Sequence, residues 1–169
     1  MRRATDDVVA GRAAFERDGV TFDEPDYCWP VAAALLWRAT LGPLSVLDFG
    51  GSLGSSYRQM APLLDAVDVT WGVVEQPAFV DAGRAYESDR LRFFTSIDEC
   101  RTAIAPTVVL ASAVLHYLPD PYPTLDALLS CGATAIIVDR TPTTDGATDL
   151  PMVQQVPPSI YAASYPAWL

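Results

Sequence analysis

The chain has 169 residues, half of them hydrophobic, which suffices for one domain with a substantial core. Its net charge is −10 and all 11 of its cationic side chains are arginine. A Schiff-base or phosphate-clamping lysine is therefore excluded, and nucleic acid, which is bound by neutralising phosphates, is a poor partner.

Residues 4–18 read as an amphipathic helix capped by Gly19, and Asp23 to Pro30 as a turn-rich acidic and aromatic linker. The Ala- and Leu-rich run Val31 to Leu41 predicts a buried helix closing at Gly42-Pro43. A strand follows over 44–48, then a glycine turn and a helix over 55–67 that Pro62 interrupts. The pattern continues with strand Val69 to Glu75, a helix over 77–88 starting at Pro77, and strand Leu91 to Phe94. A helix from Ile97 to Ile104, strand Thr107 to Ala111, a helix over 123–130 and strand Ala133 to Asp139 complete it. This alternation predicts an α/β chain with a Rossmann-like, doubly wound parallel sheet of about five strands. Residues 141–169 are proline-rich and give no convincing strand, so they are expected to pack as a lid or an interface. The expected organisation is a helical segment (1–43), a ligand-binding core (44–140) and a tail (141–169).

No apolar run reaches the roughly 18 residues needed to cross a bilayer, and no apolar signal core follows Arg2 and Arg3. Cys28, Cys100 and Cys131 lie far apart, with no metal-ligand or pairing spacing. The expectation is a cytoplasmic protein with no membrane or metal site.

The turn Asp48-Phe49-Gly50-Gly51-Ser52-Leu53-Gly54 organises the core. Glycines at a strand-to-helix turn let a backbone approach a ligand closely. The acid before the first glycine opposes a pyrophosphate but suits an ammonium and a sulfonium, as in S-adenosylmethionine (SAM). A ligand-free strand–helix turn is the other reading.

This turn, the acid Glu75 and the string Leu-His-Tyr-Leu-Pro-Asp-Pro after residue 114 resemble class I SAM-dependent methyltransferases. More narrowly, DFGGSLGSSY, VVEQP, LASAVLHYLPDPY, DRTP and SYPAW look like a bacterial methyltransferase-like family whose members often sit among natural-product or surface-polysaccharide genes. The resemblance implies that Asp48 orients the methionine ammonium and that Gly50, Gly51, Ser52 and Gly54 pass beneath the cofactor. It also implies that Glu75 takes the ribose hydroxyls, that Gln76, Ser96 and Ile97 border the adenine, and that Ser112 lies beside the methionine. Many relatives carry an acid after the third strand, where this chain reads Thr95-Ser96-Ile97-Asp98, so the cofactor is either retained or lost.

His116, the one histidine, is read either as a general base near the sulfonium or as a loop-fixing residue. Arg140 is read as an anion clamp or as the partner of a neighbouring acid, and Tyr57 and Tyr117 as pocket or packing residues. Two functions follow. One is SAM-dependent methylation of a small or carrier-bound biosynthetic intermediate. The other is a methyltransferase-fold subunit of a heteromeric biosynthetic enzyme, either a scaffold or a catalyst of in-line ring closure such as aziridine formation. The resemblance further implies a seven-strand sheet of order 3-2-1-4-5-7-6, whose C-terminal antiparallel hairpin is missing here. The fifth strand is then an open edge, and a second subunit or a homodimer is expected to cover it.

Overall fold

The structure is a computed structural model that describes residues 1–146, 148, 150–155, 157–158 and 164–168. The chain begins with α1 (Arg2–Val9), the strands β1 (Phe15–Arg17) and β2 (Val20–Phe22), and α2 (Trp29–Ala39). The alternating core follows as β3 (Leu44–Phe49), α3 (Ser55–Met60), β4 (Val69–Val74), α4 (Pro77–Gly83), β5 (Leu91–Phe94) and α5 (Ile97–Ile104). It continues through β6 (Val108–Ser112), α6 (Tyr122–Leu129) and β7 (Ala135–Asp139), and the tail adds β8 (Pro151–Gln154) and β9 (Tyr165–Trp168).

Five strands form one parallel sheet in the order β5-β4-β3-β6-β7. Both faces are covered, which is why the strands read as nearly unbroken apolar runs. Alternate residues serve the two layers. Val46, Trp71, Val73, Val108 and Leu110 pack with Val31, Leu35, Met60 and Val80, from α2, α3 and α4. Leu47, Val109 and Ala111 pack with Cys100 and Leu128, from α5 and α6. Each such fully buried aliphatic side chain contributes about 1.5–3 kcal/mol. Pro62 stops α3, and the chain passes through a 3-10 turn at Ala61–Leu63. A second 3-10 turn, Arg84–Tyr86, takes the place of the expected end of the 77–88 helix.

Among the described residues the sheet has no sixth strand, so the added antiparallel hairpin is absent from it. Two expectations fail at the ends of the chain. The single helix over 4–18 is instead α1 and a β1–β2 hairpin whose loop is Asp18-Gly19. Both loop residues have positive φ (53° and 78°), the signature of a two-residue hairpin turn, so Gly19 is a turn residue and not a helix cap. Phe15 stacks on Phe22 across the pair, with centroids 4.6 Å apart. The tail, expected to hold no strand, forms a β8–β9 ribbon from Pro151↔Trp168 to Gln154↔Tyr165. In a two-stranded ribbon each strand has a free edge, which tolerates Pro151 and Pro166. No helix among the described residues is long and apolar enough to cross a membrane.

Candidate functional site

A cavity of about 700 Å³ opens at the carboxyl ends of the strands, within the usual size range of small-molecule sites. Phe49, Gly50 and Ser52 line it from the β3 exit, Val74 to Pro77 and Phe79 from β4 and α4, and Thr95 from the β5 exit. Ala113, Val114, Tyr117 and Leu118 line it from the β6 exit, with Tyr165 and Pro166 of β9, Asp18 of the β1–β2 loop, and Met1.

The turn after β3 is built around Asp48. Its side chain is only 1% exposed and accepts a 3.0 Å hydrogen bond from Trp71 Nε1. A Cβ on Gly51 would overlap that carboxylate, so only glycine lets the turn close over it. A Cβ on Gly50 (φ 75°) would lie 2.5 Å from Val114 Cγ2. Gly54 (φ 85°) precedes α3 and leaves room for Arg58 and Leu91. Burial raises the Asp48 pKa to about 7, against the opposing Trp71 hydrogen bond and with a smaller push from Glu75. Asp48 therefore organises the turn from beneath and does not line the cavity.

Glu75 stands at the β4 exit, where it meets the turn. Its Oε1 accepts from the backbone N–H of Ser52 (3.2 Å) and its Oε2 from that of Gln76 (2.7 Å). Burial raises its pKa, and these two donors oppose the rise. Each carboxylate oxygen retains an acceptor lone pair for a ligand hydroxyl. The Ser52 hydroxyl beside it is buried with no partner among the described residues, a polar atom left for a ligand.

Of the residues singled out from sequence, Gly50, Ser52, Glu75, Gln76 and Tyr117 converge on the cavity. The others occupy neighbouring positions. Ser96 caps α5 by accepting from the Glu99 N–H (3.1 Å), and Ile97 packs in the core beside Cys100, so Thr95 takes their place at the cavity. The Ser112 hydroxyl donates to Asp139 Oδ2 (2.7 Å) and accepts from Arg140 Nη2 (2.9 Å). Arg140 also pairs with Asp139 (3.1 Å) at a left-handed φ of 48°. It adopts the neighbouring-acid pairing of its two readings, and its guanidinium lies off the cavity wall. Tyr57 packs against Trp71, centroids 5.8 Å apart, under the sheet. His116 sits behind Tyr117, rings 4.0 Å apart, with its pKa lowered by burial and its Nδ1 buried without a partner among the described residues.

Sequence reasoning did not find Asp18, Phe79 or the pairing of Tyr165 with Tyr117. The two tyrosine rings meet edge to face at 5.3 Å and 82°, and Tyr117 Oη donates to Gln154 Oε1 of β8. The Asp-Gly dipeptide was a readable hairpin signal. Nothing local announces the tyrosine pair, whose members are 48 residues apart in sequence. Among the described residues no group of His, Cys, Asp or Glu is arranged to hold a metal ion.

No protein-family model matches the chain, and no curated protein matches it. Solved structures do. The N-terminal domain of EvdMO1, crystallised in the presence of SAH and D-fucose, is similar at 15% identity with a TM-score of 0.53, over 99% of this chain and 81% of that one. The bifunctional kinase-methyltransferase WbdD is similar at 16% identity with a TM-score of 0.50, over 96% of this chain and 45% of that one. The chain thus spans less than half the length of WbdD. At these identities the match establishes the architecture: the fold is that of class I SAM-dependent methyltransferases.

Proposed function

We propose that the chain binds SAM in this cavity and transfers its methyl group to a small biosynthetic intermediate. The observation that carries the reading is Glu75. Two backbone N–H groups fix its carboxylate at the cavity wall, directly beside the glycine turn. That geometry suits a pair of ribose hydroxyls, and charge-assisted hydrogen bonds are about twice as strong as neutral ones. The unpartnered Ser52 hydroxyl fits the rest of such a ligand. When bound, SAM supplies an electrophilic methyl group on a sulfonium.

The protein's own part is alignment and exclusion of water. Phe49, Val74 and Phe79 give the cavity apolar walls, and Gln76 and Thr95 stand on the side expected to hold the base. His116 acts as a positioning residue behind Tyr117, and the tail ribbon closes the β6 side as a lid. Calorimetry tests the reading. SAM and SAH bind the intact chain, and Glu75→Ala weakens both by about 3 kcal/mol or more, two charge-assisted hydrogen bonds being lost. Absence of any SAM or SAH binding overturns it.

Among the described residues no strand pairs with the outer edge of β7, which favours a second reading, a methyltransferase-fold subunit that works with a partner protein or a second copy. Beside that edge, Val138 is 48% exposed, and α2, which packs on β7, exposes Trp29 and Trp37 (61% and 62%). Exposed strand edges invite pairing. Light scattering distinguishes the two readings: a monomer that binds SAM supports the first, and a stable dimer or a requirement for a partner supports the second.

A further inference from the structure

We propose that the β6 end of the cavity is a subsite for an organic ammonium ion, formed by Asp18, Tyr117 and Tyr165, and that the acceptor is accordingly an amine. The role as acceptor site rests on the methyl-transfer reading, whereas the preference for a cation does not. The strand order separates the two ends of the cavity. Glu75, Gln76 and Thr95 leave β4 and β5 on one side of β3, and Ala113 to Leu118 leave β6 on the other. Asp18 and Tyr165 join the second group.

At that end the edge-to-face rings of Tyr117 and Tyr165 make a corner of two aromatic walls. Aromatic faces attract cations, and quaternary and alkylated ammonium groups are recognised in this way. Asp18 adds a carboxylate to the corner. The β1–β2 turn holds it there in a left-handed conformation (φ 53°), and the turn itself is tied down by Glu16, which is 3% exposed and accepts from Ser55 Oγ and from the Gly19 N–H (3.2 Å). The Met1 nitrogen lies beside Gly19 of the same turn, 3.1 Å from where a Cβ there would stand, and Asp18 itself is solvent-exposed. Its negative charge, after burial, helps raise the pKa of both tyrosines.

The charge balance of the whole cavity points the same way. Its lining residues include two acids, Asp18 and Glu75, against one cationic group, the amino terminus at Met1, and no arginine or histidine among the described residues. A phosphorylated or carboxylated acceptor would meet two carboxylates against the one amino terminus.

The test is titration of the intact chain with benzyltrimethylammonium, followed by ligand-observed NMR, with benzoate and benzyl alcohol as anionic and neutral controls. Both the free protein and the protein with saturating SAH are titrated. The ammonium probe binds in both, benzoate does not bind, and Asp18→Asn weakens the probe roughly tenfold, a loss on the scale of a charge and aromatic contact. Asparagine accepts the left-handed conformation, so the hairpin survives that change. Tyr165→Leu also weakens the probe while the circular dichroism is unchanged. Equal affinity in Asp18→Asn, binding of benzoate as tight as that of the ammonium, or full displacement of the ammonium by SAH overturns the proposal. If SAH fails to bind, the titration of the free protein still reads the subsite, and only the cofactor reading falls.

Discussion

The wall of the cavity at the β3 and β4 exits is held by short-range hydrogen bonds on a buried sheet, whereas the wall around Asp18 and Tyr165 is supplied by two hairpins from opposite ends of the chain. On the first wall, Asp48, Trp71, Gly51, Ser52, Gln76 and Glu75 lock one another in place within two adjacent strands and their exits. On the second, the β1–β2 loop is anchored through Glu16 to α3, and the ribbon through Tyr117 and Gln154. A turn built this way is rigid because the sheet has already fixed both of its ends. A wall built from separate hairpins can differ between related proteins without disturbing the sheet. The first suits an invariant part of a ligand, and the second suits the part that sets specificity.

The largest expected effect breaks the first wall by pH. The Asp48 pKa is raised to about 7 from an ordinary 3.8, mainly by burial. Between those values the folded chain keeps a proton that the unfolded chain has lost, so stability falls as pH rises from about 4 to about 7. The contribution is on the order of 4 kcal/mol at about 1.4 kcal/mol per unit. Thermal unfolding followed across that range shows the decline, and Asp48→Asn flattens it; a decline of equal size in the variant refutes the assignment.

Next in size is Gly50→Ala. The new Cβ meets Val114 and takes a positive φ, and the overpacking and backbone terms together cost about 2–4 kcal/mol. Gly132→Ala sharpens the result, since Gly132 has a similar φ (79°) but nothing within 4 Å, and it loses only about 1–2 kcal/mol. Equal losses at the two sites, read by chemical denaturation, mean that the turn is not tightly closed.

The smallest effect belongs to the second wall. Tyr117→Phe removes the hydroxyl bonded to Gln154 and lowers global stability by about 1 kcal/mol or less. Amide exchange then rises in β8 and β9 and not in β3 or β4. A uniform rise across the sheet contradicts the separation of the two walls.

This division also sets what the sequence makes legible. The parallel sheet and its order follow from apolar runs alternating with helical segments, because burial on both faces leaves that trace in each strand. Gly50 and Ser52 are readable because the motif that places them is continuous in sequence, and Glu75 because it is the acid that follows the next apolar strand. Asp48 is found by the same motif, yet Trp71, the residue that decides its burial and its hydrogen bond, lies on the next strand. Ser96 and Ser112 stand at the expected strand exits, but a helix cap and the Asp139–Arg140 pair engage their hydroxyls. One residue along the backbone decides which side chain faces the cavity, and strand periodicity does not fix the loop beyond the strand. The hairpins at 15–22 and 151–168 are short, and their register depends on packing against α3 and the β6 exit.

The most direct measurement is a crystal structure of the chain grown with SAH. The account predicts an adenosine moiety in the cavity, both ribose hydroxyls on the Glu75 carboxylate, the base beside Gln76 and Thr95, and the sulfur directed toward Tyr117. SAH bound with its ribose away from Glu75, or a cavity that remains without ligand while SAH binds elsewhere on the chain, contradicts it.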